Sequence, residues 1–396
     1  MKLTFISNYI NHHQIPLSDE LYRILGKDYV FVQTEPMEEE RIRQGWAKDY
    51  SALPYLQIYA DDSEGVQKII DESDVVIFDG LDDESYIAGR LAERRIVIRA
   101  WERLYREGQW KAISPKGLIR KYHDHTRYSD APVYLLCCGA YVADDFEIIR
   151  AYRGKRFKWG YFPAFIPAKD GGILRNNSVP KILWAGRFLK LKHAMDALQA
   201  VKKMADEGLA FEMTFIGGGE CEEELKKYTE QNRLEERVSF TGFLKPEEVR
   251  AYMDDADIYL FTSNFEEGWG AVINEAMNSG CAVIASHAVG AAPFLIKDKV
   301  NGLIYRSGNL QSLEDALRMV LSDENLRKKL GEEAYRTIAE EWNPNTAAER
   351  LVALCDNLMR GEITFCESGP LSEAKVIPQR KMYAYVKGEW TWRKPE

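Results

Sequence analysis

The sequence predicts an α/β protein of two doubly wound, Rossmann-like domains, and three observations carry that expectation. Short apolar runs alternate with longer helical patterns, the alternation restarts near mid-chain, and 396 residues exceed what one ordinary core accommodates. In the first half the strands are expected at Lys2–Ser7, Tyr29–Gln33, Val75–Asp79, Ile96–Arg99 and Val133–Cys138. After a stretch rich in Gly, Pro and Asn (Ala168–Pro180), new candidates follow at Lys181–Ala185, Glu212–Ile216, Val238–Thr241, Ile258–Phe261 and Ala282–Ala285. The first domain is therefore placed at 1–170 and the second at 171–345. Asn343-Pro344-Asn345 reads as a stop and restart, with a last helix over Thr346–Arg360 that is expected to cross back to the first domain. The segment 346–396 ends in Tyr383, Tyr385, Trp390, Trp392 and Arg393, which fit a small sheet addition, a docking segment or an ordered tail equally well.

Composition narrows the function classes. With 45% apolar and 29% charged residues the chain is globular, and no run of about 18 apolar residues could span a bilayer. The start, Met1-Lys2-Leu3-Thr4-Phe5-Ile6-Ser7, reads as a first strand rather than a signal peptide, so a cytoplasmic setting is expected. The six cysteines lack Cys-x-x-Cys spacing and read as buried free thiols. A formal charge of −9 argues against a general nucleic-acid binder but leaves room for basic patches. Arg90 to Arg127 holds eleven Lys or Arg against four Asp or Glu, interleaved with Trp101, Tyr105, Trp110 and Tyr122. A second cluster is Arg150, Arg153, Lys155, Arg156 and Lys158. These would dock an anionic membrane at its inner face or a lipid-pyrophosphate acceptor, or else be solvated helix faces and cleft-lining cations.

Asp257–Ser263 reads as a buried strand ending in small polar residues, and Asn264-Phe265-Glu266-Glu267-Gly268-Trp269-Gly270 as a loop entering a helix at Ala271–Asn278. In a doubly wound sheet that loop lies where ligands bind, at the carboxyl ends of the strands. Gly268 and Gly270 permit close backbone approach, and free amides at a helix start suit a phosphate. Were both helical, Glu267 and Glu275 would stand about 12 Å apart along the axis, too far for a retaining glycosidase pair. His123-Asp124-His125 reads as a polar loop rather than a metal site, and Asp82-Asp83-Glu84 as a helix start.

Glu267-Gly268-Trp269-Gly270-Ala271-Val272-Ile273-Asn274-Glu275-Ala276, with seven residues between the glutamates, resembles the signature of the retaining glycosyltransferases of family 4, which share the GT-B fold of two Rossmann-like domains facing across a cleft. Gly186-Arg187 followed by Lys192, Gly217-Gly218-Gly219, Phe240-Thr241-Gly242-Phe243, Ala282–Ser286 and Val300-Asn301-Gly302-Leu303 match in order, so the resemblance covers about 180–345. It implies transfer of a sugar from a nucleoside diphosphate sugar to a hydroxyl of a glycan or lipid-linked acceptor, as in polysaccharide biosynthesis, with no cofactor and no essential metal. Glu267 would hold donor-sugar hydroxyls, with Gly268, Trp269, Gly270 and Ala271 around it. Glu275 would accept from the ribose, Arg187 and Lys192 would bind the diphosphate, and Gly217, Gly218 and Phe243 would flank the nucleoside. A glycine often follows the family's lysine, where this chain has His193.

The first half resembles the family only in layout. After the first strand it offers Asn8, Asn11, His12 and His13, without the family's glycine pair. After Ile96-Val97-Ile98, where a His is usual, it has Arg99-Ala100-Trp101-Glu102-Arg103. Glu102 and Arg103 read equally as groups that bind sugar or leaving phosphate and as solvated charges at a helix start. A nucleotide-sugar epimerase, a phosphorylase on the same fold and a non-catalytic sugar- or nucleotide-binding subunit are the rival readings.

Overall fold

The computed structural model describes residues 1–39, 50, 52–168, 175 and 177–393. Among them lie two sheets in which every strand pairing is parallel. The first has the order β3-β2-β1-β4-β5-β6-β7, from β1 (Leu3–Ser7), β2 (Tyr29–Gln33), β3 (Leu56–Ile58), β4 (Val75–Asp79), β5 (Val97–Trp101), β6 (Val133–Cys138) and β7 (Arg156–Trp159). The second has the order β10-β9-β8-β11-β12-β13, from β8 (Lys181–Ala185), β9 (Glu212–Ile216), β10 (Val238–Phe240), β11 (Ile258–Phe261), β12 (Ala282–Ser286) and β13 (Leu303–Tyr305).

The central strands are apolar on both faces because helices cover both, so β1, β6 and β12 are buried at every position. The three strands absent from the sequence reading are short or disguised. Leu56–Ile58 and Leu303–Tyr305 are three residues each at sheet edges, and Arg-Phe-Lys-Trp of β7 was read for its charge rather than its alternation. In both sheets the order reverses beside a central strand, between β1 and β4 and between β8 and β11. Ligand crevices open outside the carboxyl ends of the strands at such points.

The chain divides into two compact units, one of Met1–Ala164, Asn343–Gln379 and Trp392–Glu396, the other of Phe165–Trp342 and Arg380–Thr391. The division thus falls before residue 170 and at 342 rather than 345, and Arg380–Thr391 returns to the second unit, which the sequence did not foretell. The helix Pro344–Met359 belongs to the first unit, where it lies against the helix Ile15–Leu25. Its start is set by Asn343, whose side chain accepts from the Thr346 amide at 2.9 Å, and Arg23 Nη2 donates to Asn345 Oδ1. The aromatic end is not a sheet addition, since Tyr383 and Tyr385 lie on the helix Met382–Val386; the tail meets the sheet earlier, where Leu371 donates to the Lys158 carbonyl, Lys158 to Ser372 and Ala374 to Arg156. Farther on, Lys387 pairs with Asp298 at 2.8 Å and Tyr383 lies edge-on to His287 within the second unit.

The Val300-Asn301-Gly302-Leu303 stretch holds the entry to β13. Buried Asn301 donates through Nδ2 to the Leu295 carbonyl (2.9 Å) and Thr337 Oγ1 (2.8 Å), and its Oδ1 accepts from the Lys297 amide (2.7 Å). Three buried hydrogen bonds each contribute about 1 kcal/mol net. Asn301→Ala should lower stability by about 2–3 kcal/mol in urea unfolding, and a change below about 0.5 kcal/mol would show the network to be ornamental.

Candidate functional site

Four loops at the carboxyl ends of β8, β9, β10 and β11 build one surface of the second unit, and backbone hydrogen bonds tie three of them together. Gly186 N donates to the Ile216 carbonyl, Gly217 N to Gly242, Phe188 N to Gly218 and Cys221 N to Phe188. This interlock needs glycine at 217: its φ is +127°, and a Cβ there would lie 1.9 Å from the Gly186 carbonyl oxygen. The exposed ring of Phe243 stands over Gly218, where a Cβ would come 2.8 Å from its Cε2 atom. Of the predicted residues, Gly218 therefore lies against Phe243, and Gly217 is bonded to the neighbouring Gly242.

The β11 loop is anchored to the turn that carries Lys192. Thr262 Oγ1 accepts from the buried Trp184 indole (2.9 Å) and donates to the Lys192 carbonyl (2.7 Å), while the Asn264 amide donates to Leu191 (2.9 Å). These bonds bring the Lys192 ammonium onto Glu267 Oε2 as an ion pair whose side chains are only 16% and 15% exposed. Lys192 also lies 5.5 Å from the Phe261 ring centre. Two groups 75 positions apart in sequence, expected to serve phosphate and sugar, thus meet. Arg187 follows β8 directly and is partly exposed. His193, where a glycine is usual, adopts the left-handed conformation (φ 51°, ψ 41°) and so keeps a glycine-like turn at a cost of about 1 kcal/mol. Its Nδ1 sits 3.3 Å from Asp196, which raises its pKa.

Past Glu267 the loop is held by a buried side chain and by backbone bonds to the segment after β12. Trp269 is buried, donates from its indole to Asn274 Oδ1 (2.8 Å) and stacks near Trp342 and Phe294. Gly268 and Trp269 carbonyls accept from Gly290 and Ala291. Gly270 has φ +85° with Phe261 against its Cα, so a side chain there has neither the dihedral nor the room. Among the described residues the amides of Trp269, Gly270 and Ala271 make no hydrogen bond, which leaves three donors at the head of the helix Val272–Asn278. That helix is one residue shorter than the sequence implied.

Glu275 lies within it, and no hydrogen bond to its carboxylate comes from the described residues. Burial pushes its pKa up to about 7, opposed by the Arg250 guanidinium. The Tyr259 hydroxyl, which donates to the Ala185 carbonyl, feels the charge of both Glu275 and Glu267, so both carboxylates border the same buried strand end.

In the first unit the polar groups at and just past the ends of β1, β4, β5 and β7 form a second cluster. Asn8 and Asn11 are largely spent on their own loop: Asn8 Oδ1 accepts from the Tyr9 amide, and Asn11 Oδ1 from the His13 amide. The rings of His12 and His13 lie 3.9 Å apart, and His13 stacks toward Tyr161. Glu102 joins this cluster, accepting from the Tyr161 hydroxyl at 2.9 Å and pairing with Arg106. Arg103 does not. Its guanidinium turns inward onto Asp145 through Nε and Nη2 (3.1 Å each) and onto Gln379, so it ties loop to tail instead of reaching a ligand. The group missed from sequence is Asp79, which accepts from Ser7 Oγ and Gln14 Nε2 at 3.2 Å each and has its pKa pushed up to about 6 by burial, with Glu102 adding. An acid ending an apolar strand just before a glycine of φ +67° was the available signal.

His125 is buried, its Nδ1 on the Tyr152 hydroxyl and its pKa well below the usual value, while His123 is exposed, so the two do not form a ligand pair. Asp83 caps the turn Glu84–Ile87 by accepting from the Ser85 amide. All six cysteines are free thiols. No group of three His, Cys, Asp or Glu among the described residues could hold a metal ion. None of their helices is long and apolar enough to cross a membrane.

Residues 167–337 match the family model of glycosyl transferases group 1. That segment is the second unit almost entire. The amylovoran biosynthesis glycosyltransferase AmsK of Erwinia amylovora is 30% identical over 183 residues, covering 45% of each chain. The poly(glycerol-phosphate) alpha-glucosyltransferase of Bacillus subtilis is 26% identical over 165 residues, 42% of this chain and 24% of its own. The match thus spans less than half the length of these curated relatives. Among solved structures, HepE of Anabaena in complex with UDP superposes with a TM-score of 0.68 at 14% identity, covering 90% of this chain and 100% of that one. The apo lipopolysaccharide outer core galactosyltransferase WaaB gives 0.66 at 16%, covering 91% and 99%. Two Rossmann-like units of this kind are the GT-B fold, so the group 1 segment sits within a GT-B chain.

The raised pKa of Glu275 has a measurable consequence. Ribose hydroxyls donate to a carboxylate, so a nucleotide would bind the ionised form. Nucleoside diphosphate affinity should fall about tenfold per pH unit below about 7, and Glu275→Gln should bind weakly with that component of the pH dependence removed. Identical profiles for the two proteins in calorimetric titration would rule out Glu275 as the ribose acceptor.

Proposed function

We propose that the protein is a retaining glycosyltransferase of the family 4 type, moving a hexose-type sugar from a nucleoside diphosphate sugar to a hydroxyl of a glycan or lipid-linked glycan, without a metal ion or other cofactor. The observation that carries this is the Lys192–Glu267 pair, an ammonium and a carboxylate held together beside three unpaired amides at the carboxyl ends of β8 and β11. Arg187, Lys192 and the amides of Trp269, Gly270 and Ala271 would take the diphosphate, Glu267 the sugar hydroxyls and Glu275 the ribose. Phe243 over Gly218 offers a stacking face for the base. In support, HepE has been crystallised with UDP, with UDP and glucose, and with UDP-glucose. AmsK is named for polysaccharide biosynthesis and the Bacillus enzyme for glucosyl transfer to poly(glycerol-phosphate).

The acceptor oxygen would attack the anomeric carbon on the face from which the diphosphate leaves. The bond to the phosphate oxygen breaks with its electron pair, and that oxygen takes the acceptor's proton. Arg187 and Lys192 neutralise the charge that develops on the leaving group, fixed donors of a kind that contribute about 3–4 kcal/mol each when removed singly. On the acceptor side, Asp79 and Glu102 would accept from sugar hydroxyls, with His12 and His13 beside them.

A panel of nucleotide sugars, each with and without glycan acceptors, tests the reading. Nucleoside diphosphate should be released in an acceptor-dependent way, unaffected by a chelator, and proton NMR should show the donor's anomeric configuration kept in the product. An inverted product would refute retention. An isomerised donor without acceptor would indicate an epimerase, and nucleotide binding without release would indicate a binding subunit.

A further inference from the structure

The structure separates the two basic stretches by what their charges do. Arg90 donates to the carbonyls of Ile70, Ser73, Asp74 and Ile96, Arg94 to Asp130, and Arg95 to Asp71 and Ser73. Arg99 pairs with Glu84 and Arg103 with Asp145. In the second stretch Arg153 and Arg156 both pair with Glu147, and Lys155 donates to the Ser129 and Ala131 carbonyls. These cations are engaged by carbonyls and carboxylates of the first unit itself.

The remainder, from Arg106 to Tyr122, has a different character. The turn Gln109–Ile113 and the helix Pro115–Asp124 contain no buried residue. Trp110 and Ile113 are 68% and 81% exposed, and Leu118, Ile119 and Tyr122 between 42% and 60%. At about 100° per residue, Pro115, Leu118, Ile119 and Tyr122 fall on one stripe at i, i+3, i+4 and i+7. Lys121 borders that stripe on one side and Lys116 with His123 on the other. An amphipathic helix normally turns such a stripe to the core, whereas this one turns it to solvent. Five large apolar side chains exposed within thirteen residues call for a partner that is apolar in its interior and anionic at its surface.

We propose that Trp110, Ile113, Leu118, Ile119 and Tyr122 form a docking surface that inserts at the boundary of an anionic lipid bilayer, with Lys111, Lys116 and Lys121 set at headgroup level. Charge complementarity selects the occupant. The protein is acidic overall, yet the stripe is bordered by lysines, and in-plane helices that bind anionic membranes combine an apolar face with flanking Lys or Arg. Glu107 beside Lys111 and Asp82 and Asp124 beside Arg120 lower the local charge without entering the stripe. The surface would hold the enzyme where lipid-linked acceptors lie, but its existence does not depend on the transfer reading.

Flotation of the full chain with vesicles tests the surface. At low salt the protein should bind mixed phosphatidylcholine–phosphatidylglycerol vesicles at least about tenfold more tightly than phosphatidylcholine alone, and added salt should weaken the difference. Leu118→Ser with Ile119→Ser, and separately Lys116→Glu with Lys121→Glu, should each reduce binding about tenfold or more. Both variants should keep the wild-type melting temperature and nucleoside diphosphate affinity, which separates failure here from failure of the donor site. Binding equal in variants and wild type would overturn the proposal, as would no binding by a folded wild type. A wild-type dimer that the serine variant converts to monomer would also overturn it, in favour of a second copy as the occupant.

Discussion

Lys192 and Glu267 meet because Thr262, just past β11, accepts from the Trp184 indole and donates to the Lys192 carbonyl. That one hydroxyl couples the core of the second unit to the turn after β8, and the site depends on it. Were the two loops free of each other, a lysine and a glutamate on the surface would gain little from pairing. Held at about 15% exposure by backbone bonds, they form a preset unit with one positive and one negative end. The three unpaired amides next to it extend the positive end, and Gly217 closes the neighbouring loop by an approach that no other residue allows.

The first unit uses charge for a different purpose. Arg90, Arg94 and Arg95 donate to carbonyls at strand and helix ends, Arg99 pairs with Glu84, and Arg103 is locked on Asp145 and Gln379. The unit's remaining polar groups gather after β1, β4, β5 and β7: Asp79 accepts from Ser7, Glu102 accepts from Tyr161, and His12 and His13 lie beside them.

The parallel sheets were legible because buried strands such as Val133–Cys138 are apolar throughout, and the second unit's site was legible because its glutamates and glycines are fixed by spacing in one short segment. Arg103 was misread for a reason of physics. A charged residue after a strand has the same sequence signature whether it meets solvent or a buried partner, and its partner Asp145 lies 42 positions away. Asp79 escaped notice because one acid at a strand end is unremarkable until Ser7 and Gln14 are seen to donate to it. The exposed stripe of Pro115–Asp124 looks in sequence like any amphipathic helix, and only burial shows which way it faces.

If Glu267 holds the sugar and Glu275 the ribose, the two substitutions should separate by ligand. In calorimetric titrations with an active nucleotide sugar and with its free nucleoside diphosphate, Glu267→Gln should weaken only the nucleotide sugar, by about tenfold or more, and leave the free diphosphate bound as tightly or tighter because Lys192 is released. Glu275→Gln should weaken both. Equal losses for both ligands in the Glu267 variant, or none in either variant, would contradict the assignment of these carboxylates to the donor.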